Sequence, residues 1–137
     1  MDSNAPEGDP ATAIETILVV EDQGMLRRLA TRHLREAGYR VIEAASAEEA
    51  IDLAAAHAGV IELLLTDLVL PGAAGDALAD RLVAVRPALQ VIFMTGRPDA
   101  KTSLRAVAAG EAGFLGKPFG LRDLESAVRA RLGPRGA

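Results

Sequence analysis

Two hydrophobic rhythms alternate along this chain. Five short runs are rich in aliphatic residues: residues 16–21 (TILVVE), 40–44 (RVIEA), 62–66 (ELLLT), 90–95 (QVIFMT) and 113–116 (GFLG). The first, third and fourth are nearly continuous, which is how strands covered on both faces read, and such strands belong to parallel sheets. The second is more polar and reads as an edge strand. Between the runs the apolar spacing lengthens to three and four residues. Leu26, Leu29, Ala30, Leu34 and Ala37 follow the first run and stop at Gly38; Ala50, Leu53 and Ala54 follow the second, behind a capping box of Ser46 and Glu49. Leu78, Leu82 and Val85 precede Pro87. Leu104, Val107 and Ala108 lie in a helix around 101–109 that ends at Gly110, and Leu121, Leu124, Val128 and Leu132 close the series. The pattern predicts (βα)5, an α/β, doubly wound domain with helices on both faces of a parallel sheet. Met25, Phe93 and Met94 read as packing residues, His33 and His57 as surface or boundary residues.

The flanks break both rhythms. Residues 1–14 are polar and hold two prolines, so they are expected to form a disordered N-terminal tail. Residues 133–137 read as a helix stop and a short C-terminal tail. One domain over 15–132 remains, which suits a chain of 137 residues. The 15 basic against 19 acidic residues leave a net charge of −4, which argues against direct nucleic-acid binding, since phosphate contacts need a basic stripe. With no cysteine, disulfides and thiolate metal sites are excluded. No apolar run is long enough to span a membrane and no signal-peptide core is present, so a cytoplasmic, membrane-free protein is expected. Aromatics at 3% disfavour a stacking-based ligand site.

In doubly wound sheets ligands bind beyond the carboxyl ends of the strands. There the chemistry-bearing residues collect. Run one ends in Glu21-Asp22, run three is followed by Asp67, run four ends in Thr95-Gly96, and run five is followed by Lys117-Pro118. Taken singly, each is ordinary turn or strand chemistry. Taken together, parallel strands bring three carboxylates, one hydroxyl and one ammonium to one rim. Three carboxylates in one pocket repel unless a cation offsets them. Oxygen ligands without His or Cys select a hard cation, Mg²⁺ first. Lys117 would pair with remaining negative charge or with a bound phosphoryl group.

These residues carry a family resemblance. ILVVED at 17–22, GY at 38–39, EEA at 48–50, LLTDLVLPG at 64–72, FMTG at 93–96 and FLGKPF at 114–119 occur in order, and residues 15–132 resemble the receiver domain of two-component response regulators, the CheY-like family. The resemblance implies a flavodoxin-like, five-stranded parallel sheet of order 2-1-3-4-5. It implies that Asp67 is the phospho-acceptor, that Glu21, Asp22, Asp67 and the Val69 backbone carbonyl hold Mg²⁺, and that Lys117 contacts the phosphoryl group, with a cis peptide between Lys117 and Pro118. Thr95 takes the place of the switch hydroxyl and Phe114 that of the switch aromatic. The implied function is that of a phosphorylated regulatory domain rather than an enzyme: it takes a phosphoryl group from a phosphohistidine of a sensor histidine kinase or phosphotransfer protein, takes part in its own phosphorylation and dephosphorylation, and switches the face made by the fourth helix, fifth strand and fifth helix for a downstream protein partner. That face includes Ala106, Ala109, Phe114 and the exposed side of 121–131. The chain is expected to be either a stand-alone regulator or the excised receiver of a hybrid histidine kinase.

Three positions depart from the family pattern. Gln23-Gly24 replaces an acidic residue and a proline, Phe114 lacks the hydroxyl of the tyrosine often found there, and Arg97-Pro98 follows the switch residue. Rival readings fare worse. A phosphatase or phosphotransferase of the haloacid-dehalogenase type needs a second Asp two residues after its nucleophile, where Val69 stands. An FMN-binding flavodoxin needs aromatics and a Ser/Thr-rich phosphate loop. A pseudo-receiver, acting only as a binding module, is at odds with the intact carboxylates and Lys117.

Overall fold

The computed structural model describes residues 14–97 and 104–133. The expectations for the tails at 1–13 and 134–137, for Pro98 and for the start of the fourth helix at 101–103 lie outside the described residues.

Strands β1 (Thr16–Val20), β2 (Arg40–Ala44) and β3 (Leu63–Asp67) are joined through helices α1 (Gly24–Glu36) and α2 (Ala47–Ala56). A two-residue hairpin, β4 (Val69–Leu70) with β5 (Ala73–Ala74), then leads into α3 (Gly75–Val85). Strand β6 (Gln90–Thr95), the short α4 (Arg105–Ala108), β7 (Gly113–Gly116) and α5 (Leu121–Leu132) complete the domain. The main sheet is entirely parallel, in the order β2-β1-β3-β6-β7. With the hairpin set aside, this is the predicted order 2-1-3-4-5. The polar run is the edge strand β2, and every residue of β1 and β3 is buried.

Alternate side chains of the sheet feed two apolar layers. Leu18, Val20, Leu64, Val91 and Phe93 face Ala50, Ala54, Leu78 and Leu82 of α2 and α3, with Leu104 and Val107 packed alongside. Ile17, Val19, Leu63, Leu65, Ile92 and Met94 face Ala30 and Leu34 of α1 and Leu124 and Val128 of α5. The capping box forms in altered shape: the Glu49 N–H donates to Ser46 Oγ at 3.2 Å, but Glu49 Oε1 accepts from the Ala45 N–H at 2.7 Å. Helix α1 stops as expected, with Gly38 at φ 102° just beyond its C-cap.

Several helix positions depart from the expected packing. Met25 is 74% and Leu29 48% exposed. Counted from the buried Leu34, Leu29 stands about 140° and Met25 about 180° round the helix, so both point away from the sheet. Val85 is the last residue of α3, with no following turn to cover it, and is exposed; Leu121 heads α5 and is exposed likewise. Ala108 is also exposed, and α4 has no buried residue.

Candidate functional site

The parallel register levels the strand ends. Val20 pairs with Thr66, Asp67 with Met94 and Thr95 with Gly116, so the residues that close β1, β3, β6 and β7 meet at one rim. Asp67 is the last residue of β3 and is buried at its end. Glu21 follows β1 and is 1% exposed, although it is a carboxylate. Asp22, next in the chain, faces solvent.

Lys117 joins two of these groups. Its Nζ donates to Glu21 Oε1 and to Asp67 Oδ2, each at 2.7 Å. The remaining carboxylate oxygens take backbone donors: the Gln23 N–H reaches Glu21 Oε2 at 3.0 Å and the Val69 N–H reaches Asp67 Oδ1 at 3.3 Å. Burial pushes the Glu21 carboxyl above its ordinary value, against the opposing pull of Lys117 and the Gln23 N–H. For Lys117 burial lowers the pKa, but the hydrogen bonds to Asp67 and Glu21 outweigh it and the net shift is upward.

Glu21, Asp22 and Asp67 each offer a carboxylate oxygen, and these oxygens lie within 4.8 Å of one another. The acidic pocket therefore fits a metal. Its side-chain donors are all hard oxygens, and its three carboxylates face a single ammonium. Among the described residues the cluster's carboxylates thus exceed the ammonium that pairs with them by two charges.

Thr95 closes β6 and is buried. Its Oγ1 accepts from the Arg97 N–H at 3.1 Å, and its carbonyl accepts from the Lys117 N–H at 2.8 Å. The main chain thus ties the hydroxyl strand to the lysine. The Lys117–Pro118 peptide is cis. Phe114 is half-buried on the edge strand β7, and its ring reaches over Gly116, where a Cβ would stand 3.7 Å from it. Val69, two residues past Asp67, is 66% exposed. His33 lies away from the rim, 3.2 Å from Glu125 across the contact between α1 and α5.

Arg27 was not singled out from the sequence. Its guanidinium donates to the Glu21 carbonyl at 2.8 Å and to Glu43 Oε1 at 3.3 Å, which pins the acidic turn to β2. The signal was an arginine one turn into the helix that follows an acidic pair, a pattern too common to act on. Beside the site, Gln23, Gly24, Met25, Leu26, Leu29, Lys117, Pro118 and Phe119 line an open, largely apolar groove of about 760 Å³.

The sequence model of the response regulator receiver domain matches residues 17–129. The chain belongs to this family. The receiver is 34% identical over 122 residues to the response regulator receiver protein CpdR of Brucella abortus, covering 87% of this chain and 98% of CpdR. It is 33% identical over 117 residues to the sensor kinase CckA of the same organism, covering 85% of this chain but 12% of CckA. The chain thus spans nearly all of one relative and a small part of another. The crystal structure of the receiver domain from the hybrid histidine kinase CckA superposes with a TM-score of 0.72 at 34% identity, covering 85% of this chain and 98% of that one. The non-phosphorylated HemR receiver domain from Leptospira biflexa gives 0.76 at 30% identity, covering 88% and 95%. Receivers of this kind are regulatory domains of two-component phosphorelays and interact with sensor histidine kinases. Among the described residues no helix is long and apolar enough to cross a membrane.

Proposed function

We propose that this receiver takes a phosphoryl group onto Asp67 from a phosphohistidine of a sensor kinase or phosphotransfer protein. The observation that carries the reading is the bridge of Lys117 Nζ, 2.7 Å from both Glu21 and Asp67, inside a cluster of three carboxylates. In the transfer an Asp67 carboxylate oxygen bonds to phosphorus as the bond from phosphorus to the imidazole nitrogen breaks, and the electron pair leaves with the ring. Asp67 is held for this by its backbone at the end of β3 and by the Val69 N–H. Lys117 shifts its ammonium from carboxylate to phosphoryl oxygen at little cost, since both are anionic and its stem stays in place. Glu21, Asp22, Asp67 and the Val69 carbonyl would hold Mg²⁺, which supplies when bound the two positive charges the cluster lacks.

The readout follows from the same rim. Thr95 accepts from the Arg97 N–H and keeps its own hydroxyl proton for a phosphoryl oxygen. Its movement opens space into which Phe114 turns from β7. The surface of α4, β7 and α5 is then a two-state element biased by a local charge, and a downstream protein reads it. Met25 and Leu29, exposed beside Lys117 and Phe119, give a donor protein an apolar shelf next to the acceptor. We take residues 15–132 as the working unit and place it in the cytoplasm with its donor. Relatives of both kinds, stand-alone and kinase-fused, support either setting. Acetyl phosphate or phosphoramidate with Mg²⁺ should add one phosphate by intact mass, and Asp67→Asn should abolish it. Equal labelling of the variant would overturn the assignment.

A further inference from the structure

Gly75 opens α3 and is buried. Its φ lies outside the left-handed region, so backbone conformation does not demand glycine there. Space does. A Cβ at this position would overlap the carbonyl oxygen of Asp67 and lie 2.9 Å from the carbonyl carbon of Asp67 and 3.0 Å from the Cα of Leu68. All three are backbone atoms of the turn that carries the acceptor, and none can swing aside as a side-chain tip would. The same turn is held from other directions. The Gly75 N–H donates to the Leu68 carbonyl at 2.8 Å, the Leu68 N–H to the Met94 carbonyl at 2.9 Å, and the Thr66 hydroxyl to the Asp67 carbonyl at 3.0 Å. The Asp67 peptide is seated between the first turn of α3 and the Thr66 hydroxyl, with no slack on the α3 side.

We propose that Gly75 is a positioning residue for phosphoryl transfer: its missing side chain lets α3 seat against the Asp67 carbonyl and so fixes the acceptor carboxylate against Lys117 and the Val69 N–H. The inference rests on the reading of Asp67 as acceptor. Relieving the overlap made by a Cβ moves the acceptor backbone by about 1 Å, a misplacement that costs on the order of 10²-fold in a positioned reaction.

The test compares Gly75→Ala with Gly72→Ala. Gly72 sits in the turn between β4 and β5 at φ 75°, where an added Cβ meets nothing within 4 Å. Alanine there strains the backbone without touching Asp67. Phosphorylation by phosphoramidate at saturating Mg²⁺ is followed by intact mass and expressed per folded molecule, with the folded fraction taken from far-UV circular dichroism. Trimethylamine N-oxide at about 1 M favours the folded state and keeps an unstable variant measurable. Gly72→Ala should lose stability and keep the wild-type rate. Gly75→Ala should lose about 10²-fold in maximal rate, with the half-saturating donor concentration unchanged. A wild-type rate per folded molecule in Gly75→Ala, or an equal loss in Gly72→Ala, overturns the inference while leaving Asp67 as acceptor. A wild type that takes no label overturns the acceptor reading and this inference with it.

Discussion

Adding Mg²⁺ should raise the melting temperature of the unphosphorylated protein, and the size of the rise can be worked out from the rim. Among the described residues Lys117 is the cation that pairs with the Glu21 and Asp67 carboxylates, so with Asp22 the cluster's three carboxylates exceed that ammonium by two charges, and one divalent cation supplies both. The unfolded chain has no such cluster to bind it. With a dissociation constant on the order of 1 mM, the weak end for carboxylate sites, 10 mM Mg²⁺ stabilises the fold by about 1.4 kcal/mol through linkage. A chain of 137 residues unfolds with an entropy of roughly 0.3 kcal/mol per kelvin. The shift should therefore be about 5 °C. Thermal unfolding followed at 222 nm measures it, with NaCl matched in ionic strength as the control, because general screening alone relieves some repulsion. In Asp22→Asn the gain should vanish. In Asp67→Asn the metal-free protein should melt higher than wild type, since one repelling charge is gone, and should gain less from Mg²⁺. An unchanged wild-type melting temperature, or a full shift that survives in Asp22→Asn, would refute the argument that uncompensated charge at this rim makes the site.

Four further outcomes are expected. The raised Glu21 pKa means that the folded state favours the protonated acid: its contribution to stability is complete below pH 4.5 and lost as pH rises through the folded value, so metal-free Glu21→Gln should be more stable than wild type at neutral pH, and denaturant titrations across pH should show that advantage closing toward acid. The raised Lys117 pKa acts in the same sense at the alkaline end, where its ion pairs hold below pH 10.5 and fail above the folded value; Lys117→Met should lose stability relative to wild type at pH 8, with the gap narrowing beyond that upper value. Val69 is exposed two residues past Asp67, the proposed acceptor, and its side chain has no polar atom with which to orient an attacking water, so label should decay more slowly from wild type than from Val69→Asn; equal or faster wild-type decay removes the argument. Beryllofluoride with Mg²⁺ should shift amide NMR signals from Thr95 through Phe119, and Thr95→Ala should still take up phosphate but lose most of the shift around Phe114; an intact distal response in that variant would mean that the coupling bypasses Thr95.

The sheet was legible because its strands are buried on both faces. Runs such as ILVV and LLL leave few alternatives to a central parallel strand, and the polar RVIEA run marked the edge. The rim was legible for a related reason: a parallel sheet has all its strand ends on one side, so residues that follow the runs must meet. What the pattern missed depends on contacts between elements. Leu29 was counted among the apolar stripe of α1 by spacing alone, yet its angle from Leu34 takes it to solvent. The β4–β5 hairpin has two residues on each side, too few to show a period. Arg27 and Gly75 lie against the backbone carbonyls of Glu21 and Asp67, and sequence carries no sign of which carbonyl a helix will approach.

Helix α4 buries none of its residues, whereas α5, on the other side of β7, is anchored by Leu124 and Val128 in the core. The face proposed above as the output surface is therefore unevenly anchored. Its α5 side should open only with the whole domain, while its α4 side, held by the partly buried Leu104, Ala106 and Val107, should open at a lower free energy. Amide hydrogen exchange should grade from slow to fast across the face in that order. A partner that grips both helices must immobilise the loose one, and it spends part of its contact energy doing so. Any event at the rim that stiffens α4 beforehand lowers that entropic toll. On the proposed function, a partner's affinity would then rise through loss of motion alone, with the contacting side chains unchanged.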